Sequence, residues 1–191
     1  MKKVFLLGDS IRMGYDEYVR ELLQGTAEVF YPEDNGRFAG YTYVSLPLWK
    51  NISGDPGKVN VVHWNTGHWD CAHFFRDSEP YSTVEEYAAW LYRVHACIRR
   101  NFPTAQVIFA TTTGVAPGRY EQMNSPRSNE EIAAYNRAAE QVMAELGVPV
   151  NDLAAFTAGF PLEYFADEVH FTEAGYRLLA GKVADEIRKY L

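Results

Sequence analysis

The sequence predicts an α/β protein with a parallel sheet covered by helices on both faces. Short apolar runs alternate with stretches of helical periodicity along the whole chain. The runs Val4–Leu7 and Val107–Ala110 are continuously apolar and Val59–Trp64 is rich in β-branched and aromatic residues, the pattern of strands buried on both sides. Each pair of runs is separated by a connection long enough for a crossover, which a parallel sheet requires. With 191 residues, 47% of them hydrophobic, the chain suits one well-buried core, so residues 1–191 are expected to form one domain.

Taken in order, Val4–Leu7 is the first strand and stops in the turn Gly8-Asp9-Ser10. Ile11–Leu23 has helical spacing and ends near Gly25, a residue suited to the left-handed conformation that closes helices. Ala27–Tyr31 is a short second strand, and Pro32–Gly40, with a proline, two glycines and Asp34-Asn35, is a loop. Val59–Trp64 is the third strand, followed by a loop over Asn65–Ser82. Val84, Tyr87, Leu91, Val94 and Ile98 mark an amphipathic helix closed by Pro103. Val107–Ala110 is the fourth strand, and Thr111–Arg127 is a loop long enough to act as a lid or binding wall. Ser128 and Glu131 form a capping box for a helix that buries Ile132, Tyr135, Ala139, Val142 and Leu146 and ends at Gly147. Val148-Pro149-Val150 is a minimal fifth strand, whose proline suits a sheet edge. The last helix starts near Thr172 and buries Tyr176, Leu179, Val183 and Ile187. In strand order 2-1-3-4-5 the switch point lies between strands one and three, beside Ser10 and the Asn65 loop.

The formal net charge of -7 and the absence of any Lys/Arg block argue against nucleic acid or an anionic membrane as partner. Cys71 and Cys97 make no disulfide framework, which fits a reducing compartment. Met1-Lys2-Lys3 is followed by too short an apolar run for a signal peptide or a membrane span. The expectation is a cytoplasmic protein.

Ser10, at the carboxyl end of the first strand, has its hydroxyl in the mouth of the site and its N–H in the first turn of a helix, where an oxyanion is received. The same tripeptide also serves as an ordinary helix cap. Near the other end of the chain stands Asp167-Glu168-Val169-His170, whose three-residue spacing lets the carboxylate accept from Nδ1 and leaves Nε2 for Ser10. These two segments together resemble the SGNH, or GDSL, hydrolase superfamily, in matching order and over nearly the whole chain. The resemblance implies a three-layer, flavodoxin-like α/β/α sandwich with a five-stranded sheet in order 2-1-3-4-5, and a Ser-His-Asp triad of Ser10, His170 and Asp167. It also implies oxyanion donors from the Ser10 N–H and, in Asn35-Gly36-Arg37-Phe38-Ala39-Gly40-Tyr41-Thr42, from Gly40; Gly40 can equally be a residue that permits a turn.

The superfamily's third block, Gly-x-Asn-Asp, is here Gly67-His68-Trp69-Asp70, with Trp69 in place of the oxyanion asparagine. Asn65 is the alternative donor, and its other role is to satisfy backbone at the strand end. Asn65-Thr66-Gly67-His68-Trp69 is similar to a block of the plant-type polysaccharide O-acetyltransferases of the same superfamily, which points to acyl groups on carbohydrate. Arg12, His68 and Trp69 are the candidate substrate-binding residues. Arg119 and Arg127 suit either a substrate carboxylate or solvent. His63, His68, Cys71 and His73 match no common zinc spacing, so no metal is expected, and nothing calls for a cofactor.

The resulting expectation is a serine esterase that removes a short acyl group, acetyl foremost, from a carbohydrate or similar polar alcohol. Its partner is then a small-molecule ester, such as an acylated sugar. The rivals are a thioesterase or lysophospholipase, an O-acetyltransferase, and a non-catalytic carbohydrate-binding relative with an incomplete oxyanion hole. The residues do not set the oligomeric state.

Overall fold

The computed structural model describes residues 1–191. Strands β1 (Lys2–Leu7), β2 (Ala27–Phe30), β3 (Val61–Asn65), β4 (Gln106–Ala110) and β5 (Val150–Asn151) alternate with helices α1 (Ser10–Leu22), α2 (Ala39–Trp49), α3 (Val84–Asn101), α4 (Asn129–Leu146), α5 (Leu153–Thr157) and α6 (Glu173–Arg188). The strands form one parallel sheet in the order β2-β1-β3-β4-β5, as expected. Val4–Leu7 are fully buried at its centre, and Trp64 and Phe109 meet edge to face across β3 and β4 with centroids 4.9 Å apart. The short β5 follows Pro149 at one edge, where a missing donor costs no ladder bond.

Packing of α1 on α6 forms one helical layer; α2 on α3 and α3 on α4 form the other. Where α1 meets α6, the Tyr176 ring lies over Gly14 so closely that a Cβ there would be 2.1 Å from a ring carbon. The first and last helices are thereby held in close contact, which matters for the site between them.

Helix α2 and the short α5 lie where periodicity marks no helix. The α2 sequence is apolar on most of its length and contains Pro47, whose missing N–H leaves the Tyr43 carbonyl without its usual partner. The Cys97 thiol donates to that carbonyl at 3.8 Å. The capping boxes of α3 (Thr83 and Glu86) and α4 (Ser128 and Glu131) are both fully formed, and Gly147 ends α4 at φ 65°.

Candidate active site

β1 delivers Ser10 through a turn that depends on Gly8. At φ 155°, Gly8 occupies backbone space that a side chain rarely adopts, and a Cβ would lie 1.9 Å from Asn65 Oδ1. Asp9 then caps α1, accepting from the Ile11 N–H and from Asn65 Nδ2, each at 3.0 Å. Burial pushes the Asp9 carboxyl up, while those two hydrogen bonds oppose the shift. Ser10 is the first residue of α1, and its N–H has no acceptor within the protein.

Asp167 and His170 sit in a turn closed by an antiparallel bridge between Phe165 and Phe171 and by Ala166 N–H donating to the His170 carbonyl at 2.8 Å. Asp167 Oδ1 accepts from the N–H groups of Val169 (2.8 Å) and His170 (2.7 Å), and Oδ2 lies 2.7 Å from His170 Nδ1. Partial burial pushes the Asp167 carboxyl up, but the two backbone donors and the imidazole outweigh it and hold the group below its ordinary value. With Nδ1 donating to the carboxylate, Nε2 is the acceptor, and it stands 2.8 Å from Ser10 Oγ. The chain of hydrogen bonds thus runs from Asp167 through His170 to a hydroxyl 160 residues away.

The opposite side of Ser10 is built from the segment between β2 and α2. Gly36 N–H donates to the Gly8 carbonyl at 2.8 Å, and a Cβ on Gly36 would lie 2.6 Å from that oxygen. Thr42 Oγ1 donates to the Gly36 carbonyl at 2.8 Å. The first turn of α2 has no capping side chain of its own; the buried Asp70 carboxylate takes that place, accepting from Ala39 N–H at 3.1 and 3.2 Å and from Thr66 Oγ1 at 2.9 Å. Burial pushes Asp70 up to about 7, against these hydrogen bonds. The N–H of Gly40, next in the same turn, has no protein acceptor.

Ser10 and His170 open into a cavity of about 330 Å³ whose other walls are Asn35, His68, Trp69, Phe74, Ser125, Arg127 and Val169. His68 is buried, with Nε2 3.1 Å from Thr113 Oγ1 and Nδ1 unpartnered; burial, with Arg127 and His170 nearby, lowers its pKa well below the ordinary imidazole value, so it is an uncharged wall at neutral pH. Asn35 Oδ1 accepts from Arg37 N–H at 2.7 Å, which fixes the amide's orientation and leaves Nδ2 without a protein acceptor.

With that arrangement in place, the family model of the GDSL-like lipases and acylhydrolases matches residues 6–178. The chain belongs to the GDSL-like lipase/acylhydrolase family. Its chemistry is accordingly that of an ester-hydrolysing enzyme. Solved structures share the fold. An acetyl xylan esterase, AlAXEase, matches with a TM-score of 0.77 at 16% identity over 97% of this chain and 99% of that one. The lipase/acylhydrolase of Enterococcus faecalis matches at 0.75 and 22% over 99% and 96%, and a GDSL-like lipase of Bacteroides thetaiotaomicron VPI-5482 at 0.74 and 16% over 100% and 89%. Among curated protein sequences there is no significant match.

Not every residue singled out in the sequence reaches the cavity of this GDSL-family chain. Ser10, His170, His68 and Trp69 line it; Gly40, packed against Trp90, is not among its walls, and Asp167 stands behind His170. Asn65 does not line it: its Nδ2 is committed to Asp9, so the amide braces the Gly8-Asp9-Ser10 turn from behind. Arg12 does not either. Three residues beyond the cap Asp9, it is rotated into the protein, fully buried, paired with Asp16 at 2.7 Å and donating to the carbonyls of Pro32 (2.9 Å) and Asp34 (2.7 Å). Phe74, one of the loop aromatics that the sequence offers, with Trp64, Trp69 and Phe75, for stacking on a sugar, also lines the cavity; Asn35, Ser125 and Val169 are cavity residues without a site role in the sequence, and of these only Asn35 carried a signal, heading the segment that resembles the family's second block. His63 lies in the sheet against Asn151 and His73 pairs with Glu131, so the four His and Cys residues are not gathered. No helix is long and apolar enough to cross a membrane.

Proposed function

We propose that this acylhydrolase is a serine esterase that removes a short acyl group, acetyl foremost, from a carbohydrate or similar polar alcohol. The observation that carries the reading is the hydrogen-bonded series Asp167–His170–Ser10, at 2.7 and 2.8 Å, ending in a small cavity. His170 Nε2 takes the Ser10 proton as Oγ attacks the ester carbonyl. Asp167 holds the imidazolium that results. The tetrahedral oxyanion is received by the N–H groups of Ser10 and Gly40, both without internal acceptors, and by Asn35 Nδ2 in the role of the absent third-block asparagine. His170 returns the proton to the leaving alcohol, and a water deprotonated by His170 then releases the acyl group from Ser10.

A 330 Å³ cavity is at the low end of ligand sites, which favours a short acyl group over a fatty chain. Trp69 and Phe74, with centroids 5.6 Å apart, form an aromatic wall, and Phe75 beside them is 94% exposed; flat apolar faces with polar neighbours suit a sugar ring. Cys71 and Cys97 are free and buried, in keeping with a reducing, cytoplasmic setting. The test is hydrolysis of 4-nitrophenyl esters of increasing chain length by wild type, Ser10→Ala and His170→Ala. Turnover greatest on acetate and lost by a factor of about 10⁴ or more in both variants supports the reading. Activity that survives in Ser10→Ala sinks it, and sugar binding without Ser10-dependent turnover turns the protein into a binding relative.

A further inference from the structure

The cavity beside Ser10 is rich in donors and poor in acceptors. Arg127 supplies its only full charge. The guanidinium is largely buried, its single hydrogen bond runs from Nη1 to the His68 carbonyl at 2.6 Å, and Nε is buried without a partner. No carboxylate lies within 4 Å of it. The nearby acids are engaged elsewhere: Asp9 with Ile11 and Asn65, Asp167 with Val169 and His170. None of the cavity's walls is acidic, and Asn35 Nδ2 and the Ser125 hydroxyl add further donors. A buried guanidinium with no counter-charge is costly to maintain, and it stays protonated at any working pH. Its planar fork, tethered through one nitrogen with others left over, matches a carboxylate.

We propose that Arg127 is the specificity determinant of this esterase: it binds a carboxylate carried by the ester substrate, so that the enzyme selects anionic esters over neutral ones of equal size. This rests on the esterase reading and adds the charge of the substrate to it. The tether to the His68 carbonyl has a second effect, fixing the guanidinium in the cavity rather than letting it swing to solvent.

The experiment compares kcat/KM within two matched pairs, 4-acetoxybenzoate against 4-acetoxybenzamide for a carboxylate on the alcohol side, and 4-nitrophenyl adipate against 4-nitrophenyl hexanoate for one on the acyl side. Wild type, Arg127→Gln and Arg127→Lys are assayed together. The expected result is an anionic-to-neutral ratio that falls by about tenfold or more in Arg127→Gln for one pair, which also tells which side carries the charge, and is kept in part by Arg127→Lys. A purely structural or oxyanion-binding Arg127 lowers both members of a pair alike and leaves the ratio unchanged, which overturns the proposal. Arg127→Met, which keeps the packing of the stem, replaces the Gln variant if that one does not fold. Failure of the wild type to hydrolyse any of the four esters counts against the esterase reading instead.

Discussion

Gly36 donates its N–H to the carbonyl of Gly8, joining the segment that offers Gly40 to the turn that offers Ser10. The two glycines meet backbone to backbone, and a methyl group on Gly36 has nowhere to go: its nearest neighbours are Gly8 O at 2.6 Å and Gly8 C at 2.8 Å. Gly36→Ala is therefore expected to lose about 1–3 kcal/mol of stability and to depress kcat by moving the Gly8-Asp9-Ser10 turn. Gly40→Ala keeps the N–H and meets only side-chain rings, Trp90 at 3.3 Å and Phe38 at 3.6 Å, so it is expected to be far milder on both counts. Thermal unfolding and ester hydrolysis of the two variants side by side check the ranking; equal damage would contradict it.

The proposed oxyanion role of Asn35 and the bracing role of Asn65 predict different losses. Asn35→Ala is expected to lower kcat by about 10²-fold or more with little change in Tm, because it removes a donor from the cavity. Asn65→Ala leaves the buried Asp9 carboxylate short of a partner and is expected to cost about 1–3 kcal/mol of stability, with a smaller loss of kcat. Reversal of the two profiles would restore Asn65 as the oxyanion donor.

Arg12→Ala removes one side of a buried ion pair and leaves Asp16, whose side chain is 8% exposed, uncompensated. The expected loss is about 3–5 kcal/mol, or on the order of 10 °C in Tm, with kcat of the folded variant nearly unchanged. A large kcat effect at unchanged Tm would place Arg12 at the substrate after all.

Asp70 sets a pH dependence of stability. Burial raises its folded-state pKa to about 7 from an ordinary value of 3.8, so between those values the native state holds a proton the unfolded state has released. Stability consequently falls as pH rises from about 4 to about 7. Asp70→Asn carries no titrating group and is expected to flatten that part of the curve by a few degrees of Tm, leaving the same-sign contribution of Asp9 in both proteins. Parallel Tm-against-pH curves for wild type and variant would remove Asp70 as the cause.

The architecture was legible because its strands are short, apolar and separated by amphipathic stripes, and because the Ser128–Glu131 capping box spells out one helix start locally; the equivalent pair Thr83 and Glu86 carried the same signal and was not read. Helix α2 was not legible, for a physical reason. Its cap is Asp70, a carboxylate brought in by the loop after β3, while the local residue in the capping position is Phe38. A helix capped from a distance leaves no start signal, and apolar residues around most of its circumference leave no periodicity. The candidate triad was readable because its two parts are short motifs with fixed spacing. The cavity walls were not, since whether Arg12 or Arg127 faces Ser10 depends on helix phase and loop path, and both are plain arginines in the sequence.

The hydrogen bond between Ser10 and His170 spans nearly the whole chain, and the crossing of Tyr176 over Gly14 packs α1, which begins at Ser10, against α6, which follows the His170 turn. In the proposed triad, Ser10 emerges early in synthesis and meets its base only after residue 170 has been made and the two ends of the chain have docked. Contacts of such sequence separation close late, since the loop entropy between them must be overcome first. On the proposed triad, turnover waits for the two ends of the chain to meet, and its return after denaturation is expected to time that meeting.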